Sequence, residues 1–208
     1  VFFPEGVGIY DNQNEKIEAL RAKRKINIST PNPSPIFNPG RQMVFTSNVL
    51  LSLPPVSKEL DQLPLDDELK GKLETIRGED QKYWFDHPVQ IGVAPENNEI
   101  LYGLKALDDA IEFEKKAGNF SETEKAVCLL SISVTHDGLH EIGREYLYQE
   151  LLKSGGLNNL EVYCFSETDT EKIIREVFIP IAEKFNIKDF SLLHNIFGVD
   201  GKYGRHYS

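Results

Sequence analysis

KAVCLLSISVTH, at 125–136, is apolar over nearly its whole length, with almost no polar alternation. Such a run reads as a strand covered on both faces, the kind found in parallel sheets flanked by helices. NLEVYCF, at 159–165, reads as a second strand of the same kind. Between them GLHEIGREYLYQELLKSGG places Leu139, Ile142, Tyr146, Leu147 and Leu151 at helical spacing, with Gly155 at the end.

The pattern extends both ways. HPVQIGV, at 87–93, is strand-like, and 95–118 reads as a helix in which Ile100, Leu104, Leu107 and Ile111 share a face and Gly118 marks the stop. After the second strand, Ile174, Val177, Phe178, Ile181 and Phe185 form a helical stripe interrupted by Pro180, where a kink or break is expected. Thr168 and Glu171 have the spacing of a capping box for that helix. Strand, helix, strand, helix in this order gives an α/β fold, a Rossmann-like parallel sheet with covering helices.

Residues 1–85 differ in texture and read as an irregular, loop-rich N-terminal extension before an α/β domain at 86–208. A short helix is expected near 13–25, a strand at 43–53, and a helix over 64–78 carrying Leu69, Leu73 and Ile76. The prolines and asparagines of ISTPNPSPIFNPGRQ exclude helix and central strand there. With 208 residues, 40% hydrophobic and 27% charged, the chain holds one full domain, or one domain plus an extension.

The formal net charge of -10 gives an acidic surface that repels a nucleic-acid backbone. The densest basic run, RAKRK at 21–25, ends a helical pattern, where cations meet the negative end of the helix dipole. Cys128 and Cys164 lie in apolar strands without metal spacing, as reduced core residues of a cytoplasmic protein do. No basic, apolar leader opens the chain and no run of roughly 18 apolar residues spans a membrane. A chain that starts with Val and stops at GKYGRHYS is expected to be a fragment, truncated at the C-terminus.

Ligands of open parallel sheets bind beyond the carboxyl ends of the strands. Two polar tips stand there: SVTHDG, with Thr135, His136 and Asp137, and FSETDT, with Glu167 and Asp169. On neighbouring strands the two tips would lie side by side and serve one polar ligand. The alternative is that the carboxylates of the second tip only start a helix, since its dipole favours them. His136 and His140 stand four apart, but no H-E-x-x-H motif supports a zinc pair. G-x-G-x-x-G after the first strand, a P-loop and a G-x-S-x-G elbow are all missing, which disfavours dinucleotide dehydrogenases, P-loop enzymes and α/β-hydrolases. In FGVDGKYGRHYS, Gly201 and Gly204 with Lys202 and Arg205 suit a pyrophosphate, or else a solvated turn.

The order of these pieces over roughly 125–208 resembles the first half of the GT-A fold, the nucleotide-diphospho-sugar transferases. In that family an apolar strand ends in a short polar motif, here SVTHDG; a second strand ends in acidic residues, here NNLEVYCFSETDTEK; a glycine- and arginine-bearing segment follows, here FGVDGKYGRHYS. The resemblance implies that Thr135 and Asp137 line the base and ribose, with His136 between them a further nucleotide-binding candidate, and that Glu167 replaces a carboxylate contacting the base. Asp169 stands near the family's second acidic position, and Lys202 and Arg205 face the diphosphate. The family's Asp-Asp pair at the second strand is Ser-Glu here, and its metal-binding Asp-x-Asp is absent. A divalent metal, Mg²⁺ or Mn²⁺, is thus expected for the full-length enzyme but has no ligands within this chain. The function implied is a glycosyltransferase-like fragment that binds a nucleotide-diphosphate sugar. The alternatives are a non-catalytic α/β binding or regulatory module, and an α/β enzyme using a mononucleotide or phosphosugar.

Overall fold

A computed structural model of the chain describes residues 12–26, 29–30, 32–82 and 87–200. The chain divides into two compact units, 1–37 and 38–208. In the first, α1 (Gln13–Lys23) is the helix expected near 13–25. The Asn12 side chain caps it by accepting the Asn14 N–H at 2.8 Å, and Arg21 and Lys23 occupy its last turn. None of its residues is buried.

The second unit runs α2 (Pro39–Gln42), β1 (Val44–Ser52), α3 (Asp67–Ile76), β2 (Val89–Gln90), α4 (Glu99–Lys116), β3 (Ala126–Val134), α5 (Leu139–Lys153), β4 (Leu160–Ser166), α6 (Glu167–Ile173), α7 (Ile179–Lys184) and α8 (Ser191–Ile196). The strands form one four-stranded sheet in the order β2-β1-β3-β4. Every neighbouring pair is parallel. This is the Rossmann-like α/β architecture that the unalternating strands point to, with helices between successive strands.

The sheet unit begins at Asn38, whereas the texture of the sequence puts the α/β domain at 86. β1, inside the segment read as an extension, is an interior strand paired with β3 from Val44↔Val127 to Leu51↔Val134. Its first half carries Thr46, Ser47 and Asn48 at exposed positions and Phe45 half-buried, so only Val49–Ser52 bear the mark of a buried strand. α3 buries Leu69, Leu73 and Ile76, the three residues its spacing predicts.

The core lies under one face of β3, where Ala126, Cys128, Leu130, Ile132 and Val134 are buried. The opposite face is only partly covered: Leu129 is 37% exposed, and the hydroxyls of Ser131 and Ser133 donate to the carbonyls of Ser47 and Val49 across the sheet. Apolar character on both faces therefore overstates the cover of β3, and more so of β4, where Glu161 and Tyr163 are exposed at the sheet edge. Both cysteines are free, and burial pushes their thiols above the ordinary range. α5 buries Leu139, Ile142, Tyr146 and Leu147, and α4 starts at Asn98, whose side chain accepts the Leu101 N–H at 3.3 Å.

Pro180 does not break its helix. A π-turn at Ile174–Phe178 precedes it, and the chain continues as α7 with Pro180 in the first turn. A proline lacks the N–H for the preceding turn and its ring displaces a carbonyl, and a widened turn absorbs both. The stripe expected on this helix is mostly unburied: Ile174 is in the core, but Val177, Ile181 and Phe185 are exposed. Phe178 meets Phe197 edge-on at 5.0 Å. No helix among the described residues is long and apolar enough to cross a membrane.

Candidate functional site

The two polar tips do lie together. β3 and β4 are parallel neighbours, in register from Ala126↔Leu160 to Ile132↔Ser166, so Thr135–Asp137 and Ser166–Asp169 leave the sheet on one rim. Gly138 turns the first tip into α5 from a left-handed φ of 77°, a conformation that costs a glycine little.

Most of the residues singled out on these tips serve the fold. Thr135 is fully buried; its N–H donates to Leu51 O at 3.0 Å, its carbonyl accepts from Lys82 N–H at 2.8 Å, and Oγ1 lies 2.8 Å from Nδ1 of His136. His136 is buried behind it, and that burial lowers its pKa, opposed by the charge of Glu79. Asp137 is exposed and ion-paired with Lys82.

The helix start also differs in register from the one its spacing suggests. Ser166 and Asp169, rather than Thr168 and Glu171, make the capping box. Asp169 accepts the Ser166 N–H at 2.9 Å and a hydrogen bond from the Arg144 guanidinium. The two serve better because β4 ends at Ser166, where extended backbone already aims the hydroxyl at the third helical N–H. Glu167 is buried, and its Oε2 accepts the N–H of Val199 at 2.7 Å and of Asp200 at 3.2 Å.

Above the rim opens a cleft of about 350 Å³ lined by Lys82, Asp137, His140, Glu167, Thr168, Glu171 and Asp200. Of the sequence-predicted residues, Asp137 and Glu167 line it, whereas Thr135, His136 and Asp169 do not. Lys202 and Arg205 lie outside the described residues. Displacement of the capping box leaves Thr168 and Glu171 facing the cleft. His140 and Asp200 meet there through Nε2, 3.0 Å from Oδ1 and 3.1 Å from Oδ2. Sixty residues separate these two, and no local signal joins them. His136 and His140 do not form a metal pair, for each ring is turned to a different partner. Among the described residues no group of three or more His, Cys, Asp or Glu is placed to hold a metal ion.

Four carboxylates line the cleft against one lysine and one histidine. Such a lining accepts hydrogen bonds from N–H and O–H groups and disfavours a bare anion. No protein-family model matches the chain, and no curated protein or solved structure is significantly similar to it.

Proposed function

We propose that this protein is glycosyltransferase-like and binds the base and ribose of a nucleotide-diphosphate sugar in the cleft beyond β3 and β4. One observation carries the reading: two polar strand tips on adjacent parallel strands open into one acceptor-rich cleft. The donors of a ribose and a nucleobase suit Asp137, Thr168 and Glu171. The diphosphate, disfavoured among carboxylates, belongs with the cations of the following segment, Lys202 and Arg205. The described residues do not fit a divalent metal, so no step is assigned to one. Any Mg²⁺ or Mn²⁺ would enter on the diphosphate.

Calorimetric titration with UDP and with GDP, each with and without Mn²⁺, tests this reading. Binding of either nucleotide, strengthened by Mn²⁺, is the expected result. No heat from either overturns the nucleotide reading, and binding indifferent to Mn²⁺ overturns the transferase.

A second reading is a non-catalytic α/β binding module. It is favoured by the engagement of Glu167 with the Val199 and Asp200 amides and of Asp169 with Ser166 and Arg144. Under it, nucleotide binds without any turnover of nucleotide sugars in the presence of Mn²⁺.

A further inference from the structure

One ring nitrogen of a cleft-lining histidine makes no hydrogen bond among the described residues. His140 stands in the first turn of α5, and its Nε2 faces both carboxylate oxygens of Asp200. Asp200 is itself fixed: it is buried, and its N–H donates to Glu167, which also holds the Val199 N–H. An ionised carboxylate only accepts, so the proton of the neutral imidazole sits on Nε2, and Nδ1 keeps its lone pair. Nδ1 has no hydrogen-bond partner among the described residues, while the His140 side chain lines the cleft.

We propose that His140 is a specificity-determining residue of this cleft, an acceptor of fixed tautomer that takes a ring N–H from a nucleobase. The inference rests on the nucleotide reading above and sharpens it. Uracil and guanine carry a ring N–H on the hydrogen-bonding edge, whereas cytosine carries a lone pair at the matching position. A lone pair set against the Nδ1 lone pair leaves two acceptors unpaired, so cytosine is selected against. Asp200 acts as a positioning residue: it sets the tautomer, and Glu167 in turn sets Asp200 through its main-chain N–H.

A purely anchoring role, in which His140 only ties Asp200 to α5, makes a different prediction. Glutamine at this position reaches Asp200 with its amide N–H but has no acceptor where Nδ1 stood. UDP and CDP are titrated by calorimetry into the whole chain and into His140→Gln. Expected are UDP binding tighter than CDP by about tenfold or more in the unmodified protein, the loss of one hydrogen bond being of that order, and near-equal binding of the two in His140→Gln. Thermal unfolding of the variant should stay close to that of the unmodified protein. Nitrogen-15 NMR of the histidine rings reads the tautomer directly, and Nε2–H is the tautomer expected for His140. An Nδ1–H tautomer overturns the assignment whatever the nucleotides do, and it can be read even if the variant fails to fold. Equal binding of UDP and CDP by the unmodified protein, or a preference that survives in His140→Gln, removes His140 from recognition and leaves the nucleotide reading standing. Binding of neither nucleotide overturns both.

Discussion

Gly143 of α5 lies so close to Leu51 of β1 that a β-carbon on the glycine would stand 2.7 Å from the leucine Cδ1. Leu51 is fully buried on an interior strand, and Cγ2 of Ile132 on β3 is 3.8 Å from the same point. The helix therefore rests on the sheet through a position that needs no side chain. Gly143→Ala should destabilise the protein by up to about 2 kcal/mol: overpacking costs about 1–3 kcal/mol, and improved helix propensity returns about 1. Thermal unfolding followed by circular dichroism reads this as a fall of several degrees. Leu51→Ala is costly alone, yet the double variant should be less destabilised than the sum of the two. A Gly143→Ala protein that melts higher would refute the close packing.

Glu167 holds two main-chain N–H groups of the turn after α8. Glu167→Ala orphans both, at a cost of about 1–3 kcal/mol, while Glu167→Gln keeps an acceptor oxygen and costs less. Hydrogen exchange gives the local test. The Val199 amide should exchange faster in the alanine variant, and an unchanged rate would rule the contact out.

Asp108 on α4 accepts the Asn159 N–H at 2.7 Å and its side-chain amide at 3.4 Å, which pins the approach to β4. Both residues are buried, so water does not compensate the loss. Asp108→Ala is expected to lower stability by about 1–3 kcal/mol, measured as a drop in the urea midpoint at unchanged slope. A changed slope would mean that the denatured state had been altered instead.

His136 makes stability depend on pH. Burial holds its folded pKa below the ordinary 6.5, the value expected when the chain unfolds. Between the two values the unfolded chain binds more protons, so stability rises with pH across that window. The contribution is complete above about 6.5 and is lost as the pH falls through the lower folded value. Urea midpoints measured from neutral pH downward should fall less steeply for His136→Gln than for the unmodified protein. Parallel curves would show that the imidazole is not held neutral in the fold.

Periodic features survive reading from the sequence because they depend on nearest neighbours. The face of α4 is marked by Leu104 and Ile111, that of α3 by Leu69, Leu73 and Ile76, and β3 and β4 by their lack of alternation. β1 was legible as a strand at 43–53, but its place inside the sheet was not, because its polar residues lie where the sheet is only partly covered. The cap at α6 slipped by two residues because Ser166 and Thr168 are both favoured capping types, and the end of β4 chooses between them. Apolar spacing also misjudged the helix after β4, where Val177, Ile181 and Phe185 repeat as core residues do but remain exposed.

The sequence by itself determined that this protein is a parallel α/β fold with two polar strand tips, since apolar strands and amphipathic helices are written in local hydrophobic order. Only the tertiary structure decided which polar groups remain for a ligand. Burial makes an unpaired donor or acceptor costly, and the partners come from distant parts of the chain: Lys82 for Thr135, Val199 for Glu167 and Asp200 for His140.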